Sequence, residues 1–224
     1  KCNGCNRCVG VCPFGAIQPF EGPQGKKVRA ITAACAGCGT CSAECYRDAI
    51  TMPYFTDSQI EAQIDAALTD EPASKVVVFA CNWCSYAGAD QAGVEKIQYP
   101  AVARIVRTMC SGRIRDDFVQ RAFEKGAGAV LVTGCHPGDC HYINANQWTE
   151  KRFGLWRKKA ERKGVSADRL QLEWISAAEG KEFAAKMKEM ASVLQKFNGG
   201  RKVPQAAEMQ ADGGSVEEGR GRDG

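Results

Sequence analysis

Residues 2–17 read CNGCNRCVGVCPFGAI, and residues 35–50 read CAGCGTCSAECYRDAI. The two stretches align without a gap and share four cysteines, one glycine and the closing Ala-Ile pair. Each contains the spacing C-x2-C-x2-C-x3-C. Three thiolates on one tight loop can hold three corners of an iron–sulfur cube, whereas the fourth cysteine lies too far along the chain and binds the cube of the other repeat. The repeat therefore predicts two [4Fe–4S] clusters with exchanged fourth ligands.

The ligand sets follow from this exchange. We expect the first cluster to be bound by Cys2, Cys5, Cys8 and Cys45, and the second by Cys35, Cys38, Cys41 and Cys12. A disulfide framework would need a secreted protein, for which we find no signal in the sequence. A zinc site would use two C-x2-C pairs rather than two spaced quartets. Residues 1–53 resemble the bacterial-type two-cluster ferredoxin fold, which implies an α+β ferredoxin-like domain with two clusters at 1–55. A short strand is predicted at 27–32.

Beyond this domain, short apolar runs alternate with helical patterns. A capped helix at 57–69 is predicted within a connecting segment at 56–73. We predict strands at 75–81, 103–110, 128–135 and 170–177, and helices at 115–125, 143–163 and 179–197. Strands that alternate with helices indicate crossover connections, so residues 74–198 are expected to form an α/β domain with a mainly parallel sheet. Residues 199–224 are Gly-rich and charged, which predicts a disordered tail.

Five further cysteines follow three of the predicted strands. Cys81 and Cys84 end the first strand, Cys110 ends the second, and Cys135 and Cys140 end the third. Because the carboxyl ends of parallel strands lie along one edge of a sheet, we expect the five thiols to converge on one site. The favoured interpretation is an iron–sulfur cluster held by four of the five cysteines, since the chain already carries two iron–sulfur motifs.

Other interpretations of these five cysteines stay open. Single buried structural thiols are common, although five at equivalent positions would be a coincidence. A redox-active C-x2-C at Cys81 and Cys84, as in thioredoxin-like folds, leaves the other three unexplained. Zinc could be bound with the help of His136 or His141, and the two Cys-His pairs also allow a mixed-ligand [2Fe–2S] centre. We prefer the interpretation in which both histidines only form hydrogen bonds nearby.

The sequence also gives specific expectations for a few other residues near these motifs. Asp139 is expected to accept a hydrogen bond close to the cluster. Arg113, in the CSGR sequence, is expected either to compensate the cluster's negative charge or to lie in a helix-start loop. The basic stretch 150–163 is interpreted first as a solvated helix face and second as a docking surface for an acidic partner. Phe153 and Trp156 within it have the spacing of core or interface residues.

A family resemblance is carried by four segments: FACNWCSYAGAD (79–90), RTMCSGRI (107–114), VLVTGCHPGDCHY (130–142) and LEWISAAEG (172–180). Together they resemble the delta-subunit family of methyl-viologen-reducing hydrogenase. The resemblance retains all five cysteines. It implies a [2Fe–2S] cluster and a role in passing electrons from a hydrogenase or formate dehydrogenase to a flavin-containing partner.

The order of the two domains carries a second resemblance. A two-cluster ferredoxin domain followed by a delta-subunit domain resembles the carboxyl-terminal part of heterodisulfide reductase A subunits and the B subunit of the quinone-interacting membrane-bound oxidoreductase. Proteins of that kind have an FAD domain upstream. No G-x-G-x-x-G follows a predicted strand here, so FAD is expected only in a missing upstream part, and we expect the chain to be a fragment of a longer polypeptide.

The composition limits the remaining function classes. The chain has 224 residues, 13 cysteines, 44% hydrophobic residues and a formal net charge of +4. That charge is too small to indicate nucleic-acid binding, and no apolar run reaches the 18 or so residues that suggest a membrane span. We therefore expect a cytoplasmic protein of an anaerobe, without membrane insertion but able to sit at the periphery of a membrane complex.

The leading functional hypothesis is an electron-transfer relay without a substrate-converting site. In it, single electrons pass between a hydrogenase-type or formate dehydrogenase-type partner and a heterodisulfide reductase-like flavin subunit. One rival is a zinc-stabilised docking module attached to a ferredoxin. The other is a thiol oxidoreductase that uses Cys81 and Cys84.

Overall fold

The computed structural model describes residues 1–197. The predicted disordered tail at 199–224 lies outside the described residues. Within them, the amino-terminal part contains short helices and a hairpin, and the remainder is built on a four-stranded sheet.

The amino-terminal part places a helical turn in each cysteine repeat. Helix α1 (Arg7–Gly10) and helix α2 (Thr40–Ala43) each contain the third cysteine of their repeat. Between them, strand β1 (Ile17–Gly22) pairs antiparallel with strand β2 (Gly25–Ala30). The predicted strand at 27–32 is thus β2, displaced by two residues. Strand β1 was not predicted, because its mixed and mostly exposed residues show no alternation of apolar and polar positions.

The second part is built on a parallel sheet. Its strands are β3 (Val76–Cys81), β4 (Ala103–Thr108), β5 (Ala129–Gly134) and β6 (Leu170–Trp174), in the spatial order β4-β3-β5-β6. All pairings are parallel. The two central strands, β3 and β5, are buried along their whole length. This explains their continuous apolar sequences, since a parallel sheet is covered by helices on both faces.

Helices cover both faces of this sheet. They are α3 (Asp57–Ala67), α4 (Ser85–Val94), α5 (Asp116–Glu124), α6 (Ala145–Arg162) and α7 (Gly180–Phe197). Alternate residues of β3 point to opposite faces: Val77 and Phe79 pack with α3, α5 and α6, whereas Val76 and Val78 pack with α4 and α7. The predicted α/β architecture is confirmed.

Helix α3 begins with a capping box, in which Thr56 accepts from the backbone of Gln59 and the Gln59 side chain accepts from the backbone of Thr56. Its Ile60 and Ile64 are fully buried in the core shared with α5. The predicted connecting helix therefore also covers one face of the sheet.

Helix α4 was not predicted from the sequence. Its buried residues are small, so no apolar periodicity marks it. Small residues are needed because α4 packs closely on its neighbours: a side chain at Gly88 would collide with the carbonyl oxygen of Ser176, and one at Gly180 with the backbone of Ala92. Elsewhere the predicted helices and strands are found, with shifts of one to three residues at their ends.

No helix within residues 1–197 has the length and apolar character needed to cross a lipid bilayer.

Candidate metal centres

Three loops bring cysteines to the carboxyl edge of the parallel sheet. Cys81 is the last residue of β3, Cys84 caps α4, and Cys135 directly follows β5. Cys110 lies two residues beyond β4, and Cys140 lies in the loop after β5. Strands β3 and β5 are neighbours, and their following strands lie on opposite sides of this central pair. The cysteines therefore surround the topological switch point, where open α/β sheets bind ligands.

The five side chains contact one another, as the strand pattern predicts. The Sγ atom of Cys135 lies 2.6 Å from that of Cys84 and 3.7 Å from that of Cys81. The three Sγ atoms are all within 4.8 Å of one another. Cys140 interacts with both Cys110 and Cys135. We call this group, Cys81, Cys84, Cys110, Cys135 and Cys140, the five-cysteine site.

The geometry of the five-cysteine site suits a thiolate-bound metal. Two sulfurs on one tetrahedral ion with bonds of about 2.3 Å are about 3.8 Å apart, close to the Cys81–Cys135 separation of 3.7 Å. All five residues are buried except Cys84, which is partly exposed. None of the 13 cysteines, all of which lie within the described residues, forms a disulfide. The donor chemistry and the Cys81–Cys135 separation thus fit a metal or an iron–sulfur group, whereas the 2.6 Å between Cys84 and Cys135 is shorter than the spacing of two sulfurs on one ion.

Close packing separates the pKa values of these thiols. Hydrogen bonds from Cys135 and Cys84 lower the pKa of Cys81 to about 3, and those from Cys110 and Cys135 lower the pKa of Cys140 to about 2. Cys110 and Cys135 each form a hydrogen bond with Cys140, and this bond raises the pKa of both thiols. These contacts favour thiolates at Cys81 and Cys140, and a bound cation would favour ionisation of the other thiols as well.

Neither histidine belongs to this sulfur group. The Nε2 atom of His136 lies 2.7 Å from a carboxylate oxygen of Glu179, and the ring of His141 stacks on Trp83 at 4.1 Å. The prediction for Asp139 is wrong: it is exposed on the loop between Cys135 and Cys140, and its backbone N–H donates to the carbonyl of His136. A short surface loop turns that carboxylate towards solvent.

Aromatic side chains that were not predicted from the sequence enclose the five-cysteine site. Tyr142 is buried in the same cluster, with Phe14 packed against it. The Trp83 indole N–H donates to the Tyr142 hydroxyl at 2.8 Å. All three lie within or next to a cysteine motif, and this adjacency was the available signal. They limit the access of water to the sulfurs.

The structure groups the thiols of the amino-terminal part across the two repeats. The charges that act on Cys8 come from Cys45, Cys5 and Cys2. Those that act on Cys41 come from Cys38, Cys12 and Cys35, and then from Cys8. Each predicted set of four thus lies together, and the sets adjoin at Cys8 and Cys41. We call them the first quartet (Cys2, Cys5, Cys8, Cys45) and the second quartet (Cys12, Cys35, Cys38, Cys41).

The second quartet surrounds a small cavity. All four of its thiols line that cavity, together with apolar residues that include Val11 and Met52. Burial raises the pKa of Cys41 to about 12. Within residues 1–197, no three thiols of a quartet lie close enough to one another to bind a single ion. A polynuclear cluster, whose ligands are distributed over several irons, fits this arrangement.

The second quartet adjoins the five-cysteine site. Cys38 and Phe14 both pack against the buried cluster that contains the five cysteines. Glycine is required at two points of this junction, because a side chain at Gly112 would meet the Thr40 hydroxyl and one at Gly39 would meet the stem of Arg113. The second quartet and the five-cysteine site are therefore neighbours in the fold.

Arg113 lies in the segment that leads into α5, which is the second of the two positions expected from its sequence context. It was expected either beside the cluster at the five cysteines or in a helix-start loop. The structure buries it between Gly39 of the second-quartet loop and the beginning of α3, where it donates to the Phe55 carbonyl and to Asp57. Cys41 lies close enough to the guanidinium for a negative charge on its sulfur to act on Arg113. The SGR segment forms a single 3-10 turn after Cys110, which carries the arginine away from the five-cysteine site.

Comparison with known families matches both parts of the chain. Residues 76–198 match the family of the methyl-viologen-reducing hydrogenase delta subunit. Residues 1–50 match the 4Fe-4S dicluster domain. The five-cysteine site lies in the first match and both quartets lie in the second.

Individual relatives show the same division. The A subunit of the ferredoxin:CoB-CoM heterodisulfide reductase of Methanosarcina mazei is 43% identical over 198 residues, which are 88% of this chain and 24% of that protein. The iron-sulfur D subunit of the F420-non-reducing hydrogenase of Archaeoglobus profundus is 41% identical over 130 residues, 58% of this chain and 95% of that protein. The corresponding vhc protein of Methanococcus voltae is 47% identical over 116 residues, 52% of this chain and 81% of that protein.

The chain spans about a quarter of the length of the heterodisulfide reductase proteins that it matches. It covers most of the matching hydrogenase iron-sulfur proteins, and the delta-subunit match extends over more than half of the chain. On this basis, the chain belongs to the methyl-viologen-reducing hydrogenase delta-subunit family, with a 4Fe-4S dicluster domain at its amino-terminal side.

Proposed function

We propose that the chain is an iron–sulfur electron-transfer unit of a heterodisulfide reductase/hydrogenase-type complex. The observation that carries this proposal is the packing of Cys38, from the second quartet, against the five-cysteine site. A thiol-rich site with no route to another metal centre would suit a structural role. A site that adjoins a second group of thiols, which adjoins a third, suits the transfer of electrons.

The proposed cofactors are two [4Fe–4S] clusters and one [2Fe–2S] cluster, within a two-cluster ferredoxin fold and an α/β domain. The first quartet would hold one [4Fe–4S] cluster, and the second quartet the other. Four of the five cysteines at the sheet edge would hold the [2Fe–2S] cluster. When bound, these clusters accept and release single electrons.

Iron is preferred to zinc at the five-cysteine site for two reasons. The Archaeoglobus profundus relative is named as an iron-sulfur protein. Its match covers 130 residues of this chain, whereas the dicluster match covers only 50, so the similarity to it must include the α/β domain. No histidine nitrogen within residues 1–197 joins the thiols that lie close enough together to share one ion, so a mixed zinc site has no support from the geometry. Both observations favour an all-cysteine iron–sulfur ligand set.

The protein's own residues would position and insulate these groups. Tyr142 and Phe14 lie between the five-cysteine site and the second quartet and exclude water there. Cys8 and Cys41 bring the two quartets together. The three sites are thus arranged in series, with the second quartet in the middle. No general acid or base is needed in such a unit, because only electrons move.

The domain boundaries and the setting of the complex belong to the same proposal. We divide the chain into a ferredoxin domain (1–55), a connecting segment (56–73) and an iron–sulfur α/β domain (74–198). The electron donor would be a hydrogenase or a formate dehydrogenase, and the acceptor a flavin-containing protein of the heterodisulfide reductase type. FAD would be bound upstream of this chain. The complex would function in the cytoplasm of an anaerobe.

The proposal is tested by counting iron, acid-labile sulfide and zinc in the anaerobically purified chain. The proposed clusters require about ten irons and no zinc. About eight irons with one zinc would make the α/β domain a docking module, and about eight irons without zinc would favour thiol chemistry at Cys81 and Cys84. The double variant Cys81→Ser/Cys135→Ser, which removes at least one of any four ligands, should lose about two irons, and Cys35→Ser should lose about four.

A further inference from the structure

Arg113 is the largest fully buried side chain in residues 1–197 that carries a charge, with 1% of its surface exposed. Its Nε and Nη2 atoms donate to the Phe55 carbonyl at 3.2 and 3.0 Å, and Nη2 also contacts Asp57. The third nitrogen, Nη1, is buried and has no hydrogen-bond partner among the described residues. A buried charged group with an unused donor is costly unless something accepts from it.

The surroundings of Arg113 point towards the second quartet. Its stem occupies the space beside Gly39, where any other residue would collide with it. Gly39 has a φ of +82° and lies between Cys38 and Cys41 in the loop that supplies three of the four thiols. Cys41 is close enough to the guanidinium for a negative charge on its sulfur, as in a bound cluster, to act on Arg113. The arginine from the α/β domain thus lies against the metal-binding loop of the ferredoxin domain.

The other charges around Arg113 leave room for an additional anion. Asp57 also pairs with Arg115, at 3.1 Å, so its negative charge is shared between two arginines. Arg115 pairs in addition with Asp48 and Asp117. In contrast, every remaining polar contact of Arg113 is to an uncharged carbonyl. Arg113 is therefore the cation of this group that is least compensated by carboxylates.

We propose that Arg113 is a positioning residue for the cluster at the second quartet, which it provides with a buried positive charge. This inference rests on the proposed function, because it requires a cluster at that site. A fixed cation in a poorly solvated environment favours the more negative, reduced form of a nearby redox group. Arg113 therefore raises the reduction potential of the middle site of the series.

The test is a potentiometric titration of the anaerobically purified full chain, followed by electron paramagnetic resonance. Arg113→Met removes the charge, and Arg113→Lys retains it without the planar fork of donors. Arg121→Met is the matched control, since Arg121 pairs with Asp65 and no cysteine is among the charges that act on it. The signal of the second quartet is assigned with Cys35→Ala and that of the first quartet with Cys5→Ala.

We expect Arg113→Met to lower the ratio of reduced to oxidised cluster at the second quartet at least tenfold at a fixed potential, which is about 59 mV for one electron. Arg113→Lys should give a smaller shift in the same direction. In Arg113→Met, the reduced-to-oxidised ratio of the first quartet should change by less than a third of the factor seen at the second quartet. Arg121→Met should change the ratio at neither quartet.

Three outcomes would overturn the inference. They are unchanged potentials with a full iron content in Arg113→Met, equal shifts at both quartets, or the same shift in Arg121→Met. If Arg113→Met loses its iron, the same potentials are measured in Arg113→Lys. An unchanged reduction potential at the second quartet in Arg113→Lys would then reject the inference. Absence of iron at the second quartet in the unmodified chain would instead reject the proposed function.

Discussion

The side chain of Arg152 joins the two parts of the chain through Glu44, with 2.6 Å between Nη1 and the carboxylate oxygen. Its Nη2 atom also donates to the Gly112 carbonyl at 2.7 Å. Glu44 precedes Cys45 of the first quartet, and Gly112 lies two residues after Cys110 of the five-cysteine site. A single arginine on α6 therefore connects the loops that carry the first quartet and the five-cysteine site.

Breaking the Glu44–Arg152 pair should loosen this junction. Both side chains are largely buried, and removing one partner of such a pair leaves an uncompensated charge, so we expect Glu44→Gln to cost about 3 kcal/mol of unfolding free energy. The double variant Glu44→Gln/Arg152→Met should recover part of the loss. Anaerobic urea unfolding, followed by the visible absorbance of the clusters, measures the change.

The exposed pair Arg157–Glu161 on the same helix provides the control. Both of its side chains are about half exposed, and Arg157→Met should cost less than about 1 kcal/mol. Equal losses for Glu44→Gln and Arg157→Met would show that the junction does not depend on the buried pair.

Gly112 should tolerate no side chain. A methyl group there would meet the Thr40 hydroxyl and the Cβ atom of Ala145, the latter at 3.0 Å. We expect Gly112→Ala to lower stability by about 1–3 kcal/mol, because overpacking forces the two domains apart. The matched control is Gly154→Ala in α6, where a methyl group meets nothing within 4 Å. That variant should be neutral or slightly stabilising, and a similar loss of melting temperature in both would refute the prediction.

Serine substitutions should identify the fifth cysteine at the sheet edge. If four of the five thiols bind a two-iron cluster, then four of the single variants at Cys81, Cys84, Cys110, Cys135 and Cys140 should each lose about two irons. The remaining variant should keep the iron content of the unmodified chain. Retention of all the iron in two or more variants would contradict a cluster with four cysteine ligands.

The pairing of α3 with α5 should depend on pH at acidic values. The hydrogen bond from Arg121 lowers the pKa of Asp65 to about 2. Because the folded pKa is below the unfolded value of about 3.9, the stabilisation is complete above pH 5 and is lost as the pH falls towards 2. Allowing for solvent screening, Asp65→Asn should cost about 1 kcal/mol at pH 7.

The measurement for this pair is anaerobic urea unfolding monitored by circular dichroism at pH 7, where iron–sulfur clusters keep their acid-labile sulfide. Asp65→Asn, Arg121→Met and the double variant form the cycle, and the double variant should lose less stability than the two single variants together. Additive losses would show that the pairing of the two charges does not contribute.

Much of this arrangement could be predicted from the sequence, because its determinants are local. The spacing of the cysteine repeats predicts two quartets, and the thiols are grouped accordingly. The apolar runs before Cys81 and Cys135 predict two buried parallel strands, whose shared edge brings the two thiols to 3.7 Å. Neither inference needs knowledge of long-range packing.

What could not be predicted depends on contacts between distant segments. Helix α4 is specified by close packing on α7 and not by an apolar stripe. The burial of Arg113 against Gly39 follows from the docking of the two domains, for which the CSGR sequence contains no signal. The exposure of Asp139 is set by a turn in which its own backbone N–H is used.

The most direct test of the account is the magnetic interaction between the five-cysteine site and the second quartet in the fully reduced chain. Spin coupling falls steeply with distance, so the [2Fe–2S] signal should relax faster through its nearest reduced neighbour. The account predicts that Cys35→Ala/Cys41→Ala abolishes this enhancement, whereas Cys5→Ala/Cys8→Ala leaves it intact. Loss of the enhancement only when the first quartet is removed would contradict the serial arrangement.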